Sequence, residues 1–164
     1  MRFKTLLIPF MLLMPGFVQA ACADLAYRQF DFWLGEWNVA TADGKLVGRD
    51  HIEKDYGACV LQEHWTSVDG GTGGSMTIYD MSRKVWHQTW VDSTGTLVVL
   101  EGGLKDGAMV MSGEMTENGK RALDRMSWTP LQSGASGKIR QLWETSLDGG
   151  KTWKTIFDVY YSKG

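Results

Sequence analysis

Phe30-Asp31-Phe32-Trp33-Leu34-Gly35-Glu36-Trp37-Asn38-Val39 sets two tryptophans and two phenylalanines around one glycine, just before the first strand-like stretch. A small closed β-barrel can begin in this way. A short helical turn covers the open end, the glycine allows a tight bend, and the next tryptophan enters the wall. The helical candidate runs from Asp24 to Leu34, with Asp24 as cap and Leu25, Phe30, Trp33 and Leu34 as the plug.

Outward from this stretch, turn signals recur at short intervals: Asp43-Gly44, Asp69-Gly70-Gly71, Ser93-Thr94-Gly95, Asp106-Gly107, Asn118-Gly119 and Asp148-Gly149-Gly150. Such residues supply the positive φ that tight hairpins need. Between them lie alternating segments such as Trp86 to Asp92 and Ala108 to Ser112, which read as strands with two unlike faces. Gly70 to Gly74 lacks the lysine and following helix of a phosphate loop and reads as a flexible hairpin connection. After residue 20 there is one proline, Pro130, so little interrupts the ladders. The expected fold is all-β, a single antiparallel up-and-down barrel of about ten strands with a short N-terminal helical plug. Closure removes the exposed edges that so many strands would otherwise leave. A β-sandwich fits less well because no long crossover connection is visible.

Residues 1–20 read as a secretory leader: Arg2 and Lys4 precede an apolar run, and Val18-Gln19-Ala20 offers a cleavage site. The run is shorter than the ~20 residues that span a bilayer. A soluble periplasmic or secreted protein, residues 21–164, is expected. Lipid anchoring at Cys22 is the alternative, weakened by Gln19 three places before it. Without Arg2 and Lys4 the formal charge moves from −2 to −4. No basic stripe is present, so nucleic acid is not an expected partner. An exported chain with two cysteines suggests a Cys22–Cys59 disulfide. On the chain-entropy model that bond stabilises by about 3–4 kcal/mol.

Gly35-Glu36-Trp37 resembles the Gly-x-Trp signature near the first strand of lipocalins and the wider calycin group. More of the chain resembles an uncharacterised bacterial family of secreted, calycin-like barrels. The matching pieces are Phe30 to Trp37, Gly57 to Trp65, Gly74-Ser75 leading to Tyr79-Asp80, Trp86 to Asp92, Arg140 to Glu144, and Ser146 to Trp153. The resemblance implies a calycin-like barrel and an export route, and brings no established activity. Nitrobindin-like haem barrels hold iron through a histidine near the C-terminal strand. The corresponding Thr155 to Tyr161 has none, and Tyr160 or Tyr161 as a haem ligand has no other support, so no haem cofactor is expected.

Chemical motifs are thin. His51, His64 and His87 are each isolated in sequence, and no metal site is expected. Met109, Met111, Met115 and Met126 read as adaptable core. Ser146-Leu147-Asp148-Gly149-Gly150-Lys151-Thr152-Trp153 matches the Asp-box of glycan-related propellers. One copy in a small barrel reads as a turn motif, with Asp148 folded onto turn amides. Glu63 with Asp92 or Glu144 is the pair that a hydrolase or isomerase would use, but the balance falls against an enzyme.

The lumen carries the main expectation. A barrel of about ten strands is wider than side chains readily fill. Strand phase puts Leu61, Glu63 and Trp65 on one face, as it does Ser75, Thr77 and Tyr79, Trp86, Gln88, Trp90 and Asp92, and Gln141 and Trp143. Aromatics interleaved with Glu, Gln and Ser suit a small apolar or aromatic ligand with a polar end. The expected lining is Glu63, Trp65, Ser75, Tyr79, Trp86, Gln88, Trp90, Gln141 and Trp143. The competing reading is a filled structural barrel that serves the envelope or an interaction.

Overall fold

Each strand in a computed structural model hydrogen-bonds to the next in sequence, and the last returns to the first, closing a barrel. The structure describes residues 22–117, 119–131 and 137–164; the leader expected at residues 1–20 lies outside them. The strands are β1 (Gly35–Ala40), β2 (Leu46–Asp55), β3 (Val60–Ser67), β4 (Thr72–Asp80), β5 (Val85–Asp92), β6 (Leu97–Lys105), β7 (Ala108–Glu117), β8 (Lys120–Pro130), β9 (Ile139–Ser146) and β10 (Lys154–Lys163). Every pairing is antiparallel, and β1 closes on β10 with Trp37 opposite Lys163 and Val39 opposite Tyr161. The up-and-down barrel expected from the turn spacing is the fold observed.

The turn chemistry explains the short connections. Asp106 and Gly107 both have positive φ, 51° and 82°, as the two central residues of a right-twisting hairpin require. The Asp-box is a turn, as read. Asp148 accepts from the Lys151 and Thr152 amides at 3.0 and 2.9 Å, and Trp153 Nε1 donates to the Gly150 carbonyl at 3.0 Å.

The plug differs in detail from the single helix expected. It is two 3-10 turns, Leu25–Arg28 and Asp31–Trp33, and Asp24 caps the first by accepting from Ala26 N at 3.0 Å. Leu25 is no part of the plug, being 83% exposed. A 3-10 turn has three residues per turn, and Tyr27 rather than Leu25 meets the barrel, edge-on to Tyr79 with centroids 5.6 Å apart. Phe30 and Trp33 are fully buried, stacked at 4.9 Å, and both contact Trp128.

Polar ties hold this lid to the wall. Trp86 Nε1 donates to Gln29 Oε1 at 3.0 Å, Lys54 Nζ to Asp31 Oδ2 at 2.7 Å, and Trp37 Nε1 to the Trp33 carbonyl at 2.8 Å. Gly35 has φ 123°, and a side chain there would run into Lys163, whose Nζ lies 3.4 Å from the Trp37 ring centroid. The Cys22–Cys59 disulfide is present, with Cα atoms 5.1 Å apart, and ties the start of the plug to the entry of β3.

The glycine run divides. Gly70 and Gly71 belong to the connection, whereas Gly73 and Gly74 lie inside β4. Their place in a wall strand follows from close approach: Gly74 abuts the Glu63 carbonyl and Gly73 abuts the Trp90 ring.

Candidate functional site

Strand alternation in this barrel sends β3 residues 61, 63, 65 and 67 inward together with β5 residues 86, 88, 90 and 92. The core is the inward row at the plug end, including Trp37, Ile52, Leu61, Trp86, Met109 and Trp128. Toward the other end the same rows stop meeting. There a cavity of about 300 Å³ is lined by Glu63, Trp65, Ser67, Gln88, Trp90, Asp92, Val98, Met126, Trp128, Gln141, Trp143, Ile156, Phe157 and Tyr161. That volume lies at the lower end of the range for small-molecule sites, roughly 300–1,000 Å³.

Of the residues expected to form the lining, Glu63, Trp65, Gln88, Trp90, Gln141 and Trp143 border this one space. Ser75 does not border it but supports Glu63, donating from its hydroxyl to Glu63 Oε2. Tyr79 and Trp86 belong to the plug end, with rings 5.8 Å apart and Trp86 edge-on to Phe30. Strand phase gives the face of a residue but not its height along the barrel, and height separates these two from the cavity.

Three indoles near the mouth share one arrangement. Trp65 pairs with Asp50 on β2, and its ring lies over Gly48, two residues nearer the mouth. Trp90 pairs with Ser75 on β4, and its ring lies over Gly73, again two residues nearer the mouth. Trp143 pairs with Met126 on β8, and its Nε1 donates to Asp124 Oδ2, the equivalent diagonal position, at 2.8 Å. Each ring therefore leans along the wall over the preceding strand. Glycine at positions 48 and 73 makes room, since a methyl group at either would collide with the indole.

At the inner end of the cavity lies a buried polar cluster. Asp50 and Glu63, diagonal neighbours on β2 and β3, are both buried and near enough to perturb each other's titration. From Glu63 the cluster runs to Ser75, whose Oγ accepts from Gln88 Nε2 at 3.3 Å; Gln88 Nε2 also donates to Thr77 Oγ1 at 3.0 Å. On the Asp50 side, Tyr161 Oη lies 3.2 Å from Asp50 Oδ2 and 2.7 Å from Gln141 Oε1. Gln141 Nε2 donates to Met126 Sδ at 2.9 Å.

Proton accounting in this cluster is restrictive. Asp50 Oδ1 is buried and no side chain of fixed protonation donates to it. Two adjacent carboxylates without a cation would repel each other in a low-dielectric interior. A proton held between Glu63 and Asp50 removes the repulsion and gives the carboxyls a hydrogen bond. Burial raises both groups, Asp50 to about 7 and Glu63 well above its usual value of 4.5, the neighbouring Asp50 charge adding to the shift at Glu63. Burial likewise holds Tyr161 neutral, well above 10. Its single proton serves Asp50 or Gln141, not both.

The carboxyl partner of Glu63 is thus Asp50, which the sequence reading missed. Asp50 stands in the polar run Arg49-Asp50-His51, where only the inward phase of Gly48, Asp50 and Ile52 marks it as interior. Glu144, named as a possible lumen carboxylate, is on the outer face, where Arg125 binds it with Nη2 at 2.7 Å. Asp92 borders the cavity mouth but is occupied by Thr94 and Thr96, and the Thr94 hydrogen bond is the largest cause holding it down at about 2. The histidines are not isolated either. His51 and His64 face each other across β2 and β3 on the outer wall beside Glu36 and Glu53, and His87 bonds Glu101 at 3.0 Å. Among the described residues these form no cluster with metal-binding geometry.

Chemically, the cavity offers indole rings near its mouth, apolar surface from Val98, Met126 and Phe157, and Glu63, Gln88, Gln141 and Tyr161 at its inner end. Trp128 adds a buried indole N–H that has no partner among the described residues. No helix among the described residues is long and apolar enough to cross a membrane. No protein-family model and no curated protein matches the chain.

Proposed function

We propose that this is an exported, calycin-like binding protein that holds a small, flat, largely apolar or aromatic molecule in its lumen, with the polar end of the molecule at the inner cluster. The observation that carries the reading is the seating of Trp65 and Trp90 over Gly48 and Gly73. A barrel selected to be full gains nothing from glycines that fold its largest side chains back against the wall. Packing normally favours filling such space, because voids forfeit dispersion contacts. A cavity kept open by glycine is what a ligand site requires.

Two measurements test it. Native mass spectrometry of protein purified from its own host should show a retained small molecule. N-phenyl-1-naphthylamine, a neutral fluorescent probe, should brighten on binding, and Gly73→Val, which pushes the Trp90 ring into the lumen, should weaken that binding at least tenfold. A probe that never brightens, with only bare polypeptide in the mass spectrum, would favour the filled structural barrel.

The buried pair supports a second reading, acid–base catalysis by Glu63 with Asp50. It differs from binding alone in requiring turnover. Glu63→Gln would then abolish conversion of a bound compound while leaving its affinity in place.

A further inference from the structure

We propose that the polar end of the lumen binds a protonated amine, with Glu63 and Asp50 as its counter-charge and the mouth tryptophans as its aromatic wall. The inference rests on the lumen being a ligand site and names the chemistry of the molecule it takes.

The first support is the sign of the charge. Among the described residues, the side chains that border the cavity include two acids, Glu63 and Asp92, and no lysine, arginine or histidine. Lys54 and Lys163 have inward strand phase but are held at the plug end, Lys54 on Asp31 and Lys163 on the Leu34 carbonyl at 2.8 Å. Carboxyl groups buried without a basic partner are costly, and they repel any ligand carboxylate or phosphate that enters. An ammonium group reverses both effects. It brings the missing positive charge, and its three N–H donors face oxygens on Glu63, Tyr161 and Gln141 at the inner end of the cavity.

The second support is the aromatic surface. Trp65, Trp90 and Trp143 line the cavity together with Glu63, and Asp92, which accepts from Trp90 Nε1, adds negative potential at the mouth. Indole faces attract cations, the more so when water is excluded. A fatty acid would meet two like charges, and a neutral hydrocarbon would leave the inner cluster without a partner.

The proton balance is explicit. With a proton between the carboxyls, the arriving ammonium takes that proton's place; the O–H bond breaks, the proton leaves to solvent, and the ammonium meets the carboxylate. The titratable group that faces the pair is Tyr161 from β10; His51, next to Asp50 in β2, points to the outer face. The strands β4, β5 and β9 present Ser75, Gln88 and Gln141, and the plug presents Trp33; the further charge on the cavity among the described residues is Asp92 at its mouth.

The test is calorimetric titration of the purified protein at pH 7.5 with three probes that share a phenylethyl skeleton: 2-phenylethylamine, 2-phenylethanol and 3-phenylpropionate. The amine should bind at least tenfold tighter than the alcohol, and the acid should not bind. Repeating the amine titration at pH 6 in two buffers of different ionisation enthalpy should show a proton released on binding. Glu63→Gln keeps the shape and hydrogen-bonding capacity of the side chain; it should remove the preference for the amine and spare the alcohol. Asp50→Asn provides the same test should Glu63→Gln fold poorly. Equal affinity for amine and alcohol, or preference for the acid, overturns the amine assignment and leaves lumen binding standing. Failure of all three probes and of N-phenyl-1-naphthylamine overturns both.

Discussion

The two ends of this barrel use tryptophan in opposite ways. At the plug end Trp33, Trp86 and Trp128 are almost fully buried and meet Phe30 ring against ring, with Trp37 beside Tyr161. At the mouth end Trp65, Trp90 and Trp143 are only partly buried and lean against the wall, two over glycine and one tied to Asp124. One residue type closes one end and lines an opening at the other. The difference comes from neighbours. Where the plug supplies rings to stack on, indoles converge on the axis; where the adjacent strand supplies glycine, they fold back.

The largest effect that tests this contrast is on stability. Trp37→Ala removes a buried ring together with its hydrogen bond to the Trp33 carbonyl. It should cost about 3–5 kcal/mol, as large-to-small changes of buried aromatics do. Trp90→Ala should cost clearly less, because part of that ring already faces the cavity. Chemical denaturation of both variants checks the order, and equal losses would erase the distinction between the ends.

The disulfide belongs to the plug end, so its removal should resemble a plug lesion. Cys22→Ser with Cys59→Ser opens a link between residues 37 apart. A loss of about 3–4 kcal/mol is expected on the chain-entropy model. Intact mass before and after reduction should show that both thiols alkylate only once reduced. Ligand binding at the mouth should survive in the folded fraction.

A smaller effect should appear with pH. The folded protein holds protons on Asp50 and Glu63 that the unfolded chain, with values near 3.8 and 4.5, has already released. Folded-state values that are raised mean stability is fullest below the unfolded values and declines as pH climbs from them through the folded ones. The slope is about 1.4 kcal/mol per pH unit for each proton retained. Asp80, Asp92 and Asp148 are shifted down instead, so their contribution is complete above about 4 and constant thereafter. The melting temperature should therefore fall from pH 5 to pH 8, and Asp50→Asn with Glu63→Gln should flatten the profile. A wild-type profile that rises over this interval would mean the carboxyls ionise without penalty.

The smallest effect concerns Gln88. An amide serving only an empty pocket could be lost in Gln88→Leu with stability nearly unchanged or slightly raised. The structure places it both at the cavity and in the Ser75 and Thr77 network. A loss of about 1 kcal/mol is now expected, since Thr77 and Ser75 lose a donor. Weakened binding of a polar-ended probe should accompany it. Thermal melts and probe titration together separate the two roles.

Some of this was legible in the chain. Turn pairs such as Asp106-Gly107 are local, and alternation such as Trp86-Gln88-Trp90 needs only the two-residue period of a strand, so barrel and inward faces follow without tertiary knowledge. Asp50 was not legible, because an acid between Arg49 and His51 looks like solvent surface until β2 is laid beside β3. The partnership of His51 with His64 was hidden for the same reason.

By itself the sequence determined the closed meander, the presence of an N-terminal plug and which residues of β3, β4 and β5 share a face, and it suggested the disulfide. These depend on local backbone preference, on periodicity and on a pair of cysteines with no rivals. Only the tertiary structure decided the height of each inward residue along the barrel, the meeting of Asp50 with Glu63, and the seating of Trp65 and Trp90 on Gly48 and Gly73. Those relations join residues on different strands, set by register and stagger between chain segments that no local pattern encodes.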